Sequence, residues 1–329
     1  MEYTHNLIGF PSVKQMGERV EREAGMRKEA FLNLQKKEEE IRIIDFHTHV
    51  FPDRIAETAL ATLSKSSETL PFTRGTAEDI RRSMEEAGVD ISVVLPIVTH
   101  ASKTAQINIS SAKTNETSDS TGLLSFAGIH PEVENPKEQL KLIKELGFKG
   151  VKLHPDYQHI PFDHPKTMKL IDEASDLDLI VITHAGKDIG LYPPTCCTVD
   201  SIRNVIHQLY PPKLVLAHMG GWNEWDEVLD KLVGEDVYFD TAFSIGEINW
   251  ADPKNPKGGF HQMEDERFME LVYSIGTDRV LFASDSPWAD QKDYVNRIKA
   301  MPFEEQEKEQ IFAGNAKKLL GIIPDEDVW

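Results

Sequence analysis

Cysteine is almost missing from this 329-residue chain: Cys196 and Cys197 are the only two, and they are neighbours. Adjacent cysteines bridge only with strain. A disulfide framework is therefore excluded, and the thiols read as reduced, as in a cytoplasmic protein. Long hydrophobic runs are missing too. None reaches the ~18 apolar residues of a membrane span, and Met1-Glu2-Tyr3-Thr4-His5 shows no basic and apolar leader, so no membrane role is expected. Positive charge is scarce: 36 Lys and Arg against 55 Asp and Glu give a net charge of −19. Binding a phosphate backbone requires a basic face. No nucleic-acid partner is expected, and the acidity reads as a device for solubility.

What is present is an alternating pattern. Residues 1–40 stand apart, rich in Glu, Lys and Arg with a thin apolar stripe (Val20, Ala24, Met26, Phe31). They read as an N-terminal helical or partly disordered extension that packs on the main domain or on another subunit of a homo-oligomer. From Ile41 to the end at residue 329, apolar runs at 41–46, 91–96, 123–129, 148–153, 179–183, 213–217, 236–240 and 279–284 read as buried strands. The segments between them carry helix signals. Thr76 precedes Asp79 in capping-box spacing, with Gly88 as the stop. Asn135-Pro136 opens another helix, which Gly147 ends. Eight strands alternating with helices predict an α/β fold, a (β/α)8 TIM barrel whose active site lies at the C-terminal ends of its strands.

Those ends carry metal-binding side chains. The first run closes with Asp45-Phe46-His47-Thr48-His49, and alternation sets His47 and His49 on one side. The fifth run ends in His184, the sixth in His218 and the eighth in Asp285. Three imidazoles and a carboxylate (His47, His49, His184, Asp285) suit one divalent ion with a position left for water. Zinc fits best, with manganese or iron as alternatives. Asp285 is also placed to hold the water's proton, and His218 to face the substrate as acid or base. His130 and His154 end the third and fourth runs. Both are candidates for substrate contact or for support of the ligands, as are Lys187, Trp222 and Trp288 in the following loops.

Five segments carry a resemblance: Ile44-Asp45-Phe46-His47-Thr48-His49, Gly147 to Pro155, Thr183-His184-Ala185-Gly186, Ala217-His218-Met219-Gly220-Gly221, and Phe282 to Trp288. Residues 41 to about 323 resemble the amidohydrolase superfamily, in particular the amidohydrolase-related branch that includes aminocarboxymuconate semialdehyde decarboxylase. The resemblance implies a TIM-type barrel with one metal, usually zinc, held by His47, His49, His184 and Asp285, with His218 as catalytic acid or base. Lys152 lies where binuclear relatives carry a carboxylated lysine bridging two metals. The expected activity is hydrolysis of an amide, lactone or ester-like bond in a small organic substrate. Decarboxylation of a small unsaturated or aromatic acid is the alternative, and a non-catalytic ligand-binding barrel a third reading. Decarboxylases of acidic substrates tend to need an arginine in the pocket. No arginine lies in the His184, His218 or Asp285 loops, and Arg54 and Arg74 are the nearest candidates.

Overall fold

The computed structural model describes residues 41–191 and 193–322. The expected extension over 1–40 lies outside them, as do Tyr192 and 323–329. Among the described residues, nine short strands follow in chain order: β1 (Ile44–Thr48), β2 (Ile91–Val94), β3 (Leu123–Ser125), β4 (Ala127–Gly128), β5 (Gly150–Leu153), β6 (Ile180–Thr183), β7 (Leu214–Leu216), β8 (Tyr238–Asp240) and β9 (Val280–Leu281). They pair in parallel as β1-β2-β3 and β4 through β9, each beside its sequence neighbour. The expected third strand, 123–129, is thus two pieces separated at Phe126. The chain does not leave the wall there, because Phe126 N–H donates to Val94 O at 2.9 Å.

The last strand returns to the first. Phe46 N–H donates to Phe282 O (2.8 Å), Asp285 N–H to His47 O (2.9 Å) and His49 N–H to Ser286 O (2.7 Å). Asp45 reinforces this seam from a fully buried position. It accepts Ser284 N–H at 3.0 Å, the Ser284 hydroxyl, and Gln291 Nε2–H at 2.8 Å. The molecule is a TIM barrel.

Alternation along the strands builds two cores. Ile44, Phe46, Val93, Leu95, Ile180, Ile182, Val215 and Leu281 form one cluster inside the barrel. Their sequence neighbours Ile43, Val94, Val181, Leu214, Leu216, Val280 and Phe282 pack with the helices. β1 carries one irregularity. Ile44 faces Ile91 and Asp45 faces Ser92, but the next pair is Thr48 with Val94, so β1 has one residue more than its partner. Such a bulge re-aims the side chains beyond it. Ile43 and Asp45 face the helix layer, whereas His47 and His49, of the same parity, face the mouth.

The helices follow the sequence signals closely. Ala77–Ala87 is capped by the Thr76 hydroxyl, which accepts Asp79 N–H at 3.2 Å, and ends at Gly88 with φ 73°. Asp79 completes only half of a capping box, since its carboxylate accepts the Thr76 hydroxyl rather than the cap's backbone N–H. The helix after β7 begins only at Trp225. His218, Met219 and Asn223 all take positive φ, so the chain is still turning there. The last helical stretch, 305–320, carries a π-helical turn at Gln310–Gly314.

Replacing Asp45 by alanine would strand buried donors from Ser284 and Gln291. We expect Asp45→Ala to cost about 3 kcal/mol of stability, read as a lower urea midpoint. An unchanged midpoint would show that the backbone bonds alone close the seam.

Candidate metal centre

Each candidate side chain leaves the barrel wall at the end of a strand. His47 is buried, and His49 lies two residues on, at the rim. Their Nδ1 atoms are tied down: His47 Nδ1 lies 2.8 Å from Asp240 Oδ2, and His49 Nδ1 2.8 Å from Leu95 O. A carbonyl and a carboxylate can only accept, so both Nδ1 atoms carry the proton and both Nε2 atoms present lone pairs. Those lone pairs converge on Asp285 Oδ1, at 3.5 Å from His47 and 3.1 Å from His49. Asp285 Oδ1 is buried with no hydrogen-bond partner. Three acceptors facing one another fit a cation. Tetrahedral bonds of ~2.0–2.1 Å place neighbouring ligand atoms ~3.3–3.4 Å apart, close to the separations here. The residues present therefore fit a divalent metal held by His47, His49 and Asp285.

His184 is not within that group. It sits with His154 and Asp188, whose ligand atoms lie within 4.8 Å of one another. Its ring stacks on His154 with centroids 4.3 Å apart and planes 10° from parallel. Its Nε2 donates to Lys187 O at 3.2 Å, while His218 Nδ1 donates to Ala242 O at 2.9 Å. The nitrogens left over, His184 Nδ1 and His218 Nε2, face each other at 3.0 Å. With both partner nitrogens committed to carbonyls, two lone pairs meet. One cation between them, a proton or a metal, relieves the repulsion.

Burial sets the charge states. It drives the pKa of His47, His154 and His184 well below the ordinary histidine value, and that of His218 to about 3. The imidazoles are thus neutral and ready to donate electron pairs. Lys152 Nζ lies 3.2 Å from His47 Nε2. Burial lowers its pKa against the pull of Asp240 and Asp285, and burial raises that of Asp240 against Lys152. A positive or neutralisable group thus already sits beside the metal cradle.

The remaining candidates scatter. His130 Nδ1 accepts Glu132 N–H within its own loop at 3.1 Å. Lys187 is exposed and reaches Asn223 O at 3.4 Å. Trp222 is buried, stacks on Phe260 at 5.2 Å and donates from Nε1 to Gln262, all consistent with packing. Trp288 is half-buried and ties its backbone N–H to Asp285 O at 2.9 Å. Asp240, at the end of β8, escapes the motif reading. Its signal was present: Val237-Tyr238-Phe239-Asp240 is an apolar run ending in a carboxylate, as is the run ending at Asp285.

Fold and site together define a metal-binding TIM barrel. A family model described as amidohydrolase matches residues 44–322, and the chain belongs to this family of metal-dependent enzymes. No curated protein matches its sequence. Among solved structures, it is similar to 2,6-dihydroxybenzoate decarboxylase from Rhizobium (TM-score 0.60, 17% identity, covering 85% of this chain and 98% of that one). It is also similar to a dihydroxybenzoic acid decarboxylase from Polaromonas sp. JS666 with bound manganese (TM-score 0.59, 15% identity, 87% and 99% covered). A third is a probable 2-pyrone-4,6-dicarboxylic acid hydrolase from Acinetobacter baumannii (TM-score 0.55, 16% identity, 85% and 99% covered).

His49→Ala and Asp285→Ala should each weaken zinc binding more than the 10–100-fold typical of residues behind the ligands, measured by chelator competition. His130→Ala should leave the affinity unchanged. Equal loss in all three would move the metal away from the β1 end.

Proposed function

We propose that the chain is a metal-dependent hydrolase that cleaves an amide, lactone or ester-like bond in a small organic substrate. The observation that carries this reading is the convergence of His47 Nε2, His49 Nε2 and the unpartnered Asp285 Oδ1. A divalent metal held by His47, His49 and Asp285 would supply an acidified water and polarisation of a carbonyl. Zinc suits the two imidazoles and carboxylate; manganese and iron accept the same donors.

The chain's own groups handle the proton. Asp285, the carboxylate that meets both imidazoles, would take the proton of the attacking water. His218, held through Nδ1 by Ala242 O, presents the Nε2 lone pair inward, where it would accept that proton from Asp285 and hand it on to the departing group. Water and the acyl compound thus leave as an acid and an alcohol or amine. The free Cys196 and Cys197 agree with a reducing, cytoplasmic setting.

Decarboxylation is the second reading, favoured by the names of two of the similar structures. Against it, Arg74 is turned away: its side chain is 76% exposed and pairs with Asp79 at 3.1 Å. Arg54 lies on the exposed face of the helix Asp53–Ser67. Neither is positioned to hold a substrate carboxylate.

The test is turnover by the zinc-loaded protein against small lactones, amides and unsaturated carboxylic acids, scoring carboxylate and carbon dioxide separately. Carboxylate without carbon dioxide is expected. His218→Ala should keep its zinc and lose at least about 100-fold in rate, the lower bound for a proton-transfer group. Carbon dioxide release that disappears in His218→Ala would establish the decarboxylase instead.

A further inference from the structure

Among the described residues, Asp240 is the carboxylate that hydrogen-bonds to both halves of the centre. Oδ2 takes the His47 Nδ1 proton at 2.8 Å. Oδ1 takes two backbone N–H groups, from His218 at 2.8 Å and from Ala242 at 3.1 Å. It is fully buried. Each oxygen therefore has a different task. One decides which nitrogen of His47 is left with a lone pair. The other pins the backbone of His218, a residue held at φ 58°, where side chains other than glycine are strained. Ala242 also supplies the carbonyl that orients the His218 ring, so both ends of that ring's support run through Asp240.

We propose that Asp240 is the positioning residue of this centre, fixing His47 as the tautomer whose Nε2 binds metal while setting His218 beside it. This rests on the metal-centre reading above. A carboxylate is required because all three partners are donors. Asparagine has nearly the same shape but one accepting and one donating end. Its orientation is forced. Turning the amide NH2 towards His218 and Ala242 would set donors against two N–H groups, so the carbonyl must stay there. The NH2 then faces His47 Nδ1, which becomes an acceptor, and the His47 proton moves to Nε2. A proton on Nε2 occupies the position the metal needs. Asp240→Asn thus leaves the backbone contacts intact and reverses one ring.

Nitrogen-15 NMR of the histidine rings in metal-free protein gives a readout that no merely structural role would move. In the wild-type protein His47 should be protonated on Nδ1. In Asp240→Asn it should be protonated on Nε2, and chelator competition should find zinc bound at least 10-fold more weakly, with the melting temperature little changed. Wild-type zinc affinity in Asp240→Asn, or an Nε2 proton on His47 in the wild-type protein, would overturn the proposal. The wild-type measurement decides the matter even if the variant fails to fold. It is also independent of the reaction: a wild-type protein that binds no zinc, yet keeps His47 protonated on Nδ1, would sink the metal-centre reading and leave the tautomer assignment standing.

Discussion

Lone pairs that face one another inside a protein repel, and the arrangement of this barrel's mouth follows from that. His47 Nε2, His49 Nε2 and Asp285 Oδ1 crowd within 3.5 Å of one another along the two histidine–carboxylate contacts. The surroundings hold them in this state rather than relieving it. Acceptors occupy both Nδ1 atoms, so neither ring can turn a proton inward. Burial keeps the His47 ring neutral. The Lys152 amine beside His47 places a compensating group within reach when no metal is bound. Such a site stores unfavourable electrostatics that only a cation discharges.

The same strands carry both the stability of the barrel and its chemistry. The seam between the first and last strands is closed by backbone bonds flanking His47, His49 and Asp285, and by the Asp45 side chain. Asp285 has φ 73° and His218 φ 58°, conformations costing on the order of 1–3 kcal/mol each. The bonds at the seam and around Asp240 hold these residues where unconstrained chain would relax. Asp45 serves the seam alone: its partners Ser284, Gln291 and the backbone of His47 lie behind the metal cradle.

Much of this was legible in the sequence because buried parallel strands leave continuous apolar runs, and a ligand at the end of each run is easily seen. All eight barrel strands were marked by such runs, and the residues that converge at β1 and Asp285 stood in the motifs. Two kinds of information were not legible. Ring orientation depends on which acceptor a side chain meets across the barrel. His184 illustrates it, since its ring faces His218 and stacks on His154 instead of joining His47 and His49. The second is a carboxylate hidden among strand residues: Asp240 ends a run that reads as core, and only its partners His47 and His218 reveal its use. The break at Phe126 was likewise unmarked, since an apolar residue suits a strand and an interruption equally well.

The extra residue in β1 acts as a phase shift between two periodic signals. Up to Asp45 the strand's odd positions answer to the helix layer; beyond the bulge they answer to the mouth. The hydrophobic code and the metal-binding code are therefore written in the same strand out of step with each other. Each can drift under selection without disturbing the other, because a change at Ile44 alters packing below the bulge and leaves the aim of the imidazoles above it alone. Flattening the bulge while keeping every residue would do the opposite, since the pairing beyond Asp45 would slip by one residue. It would keep composition and core volume nearly intact and bring the two codes into step, turning both histidines into the helix layer and leaving a well-folded barrel without its metal.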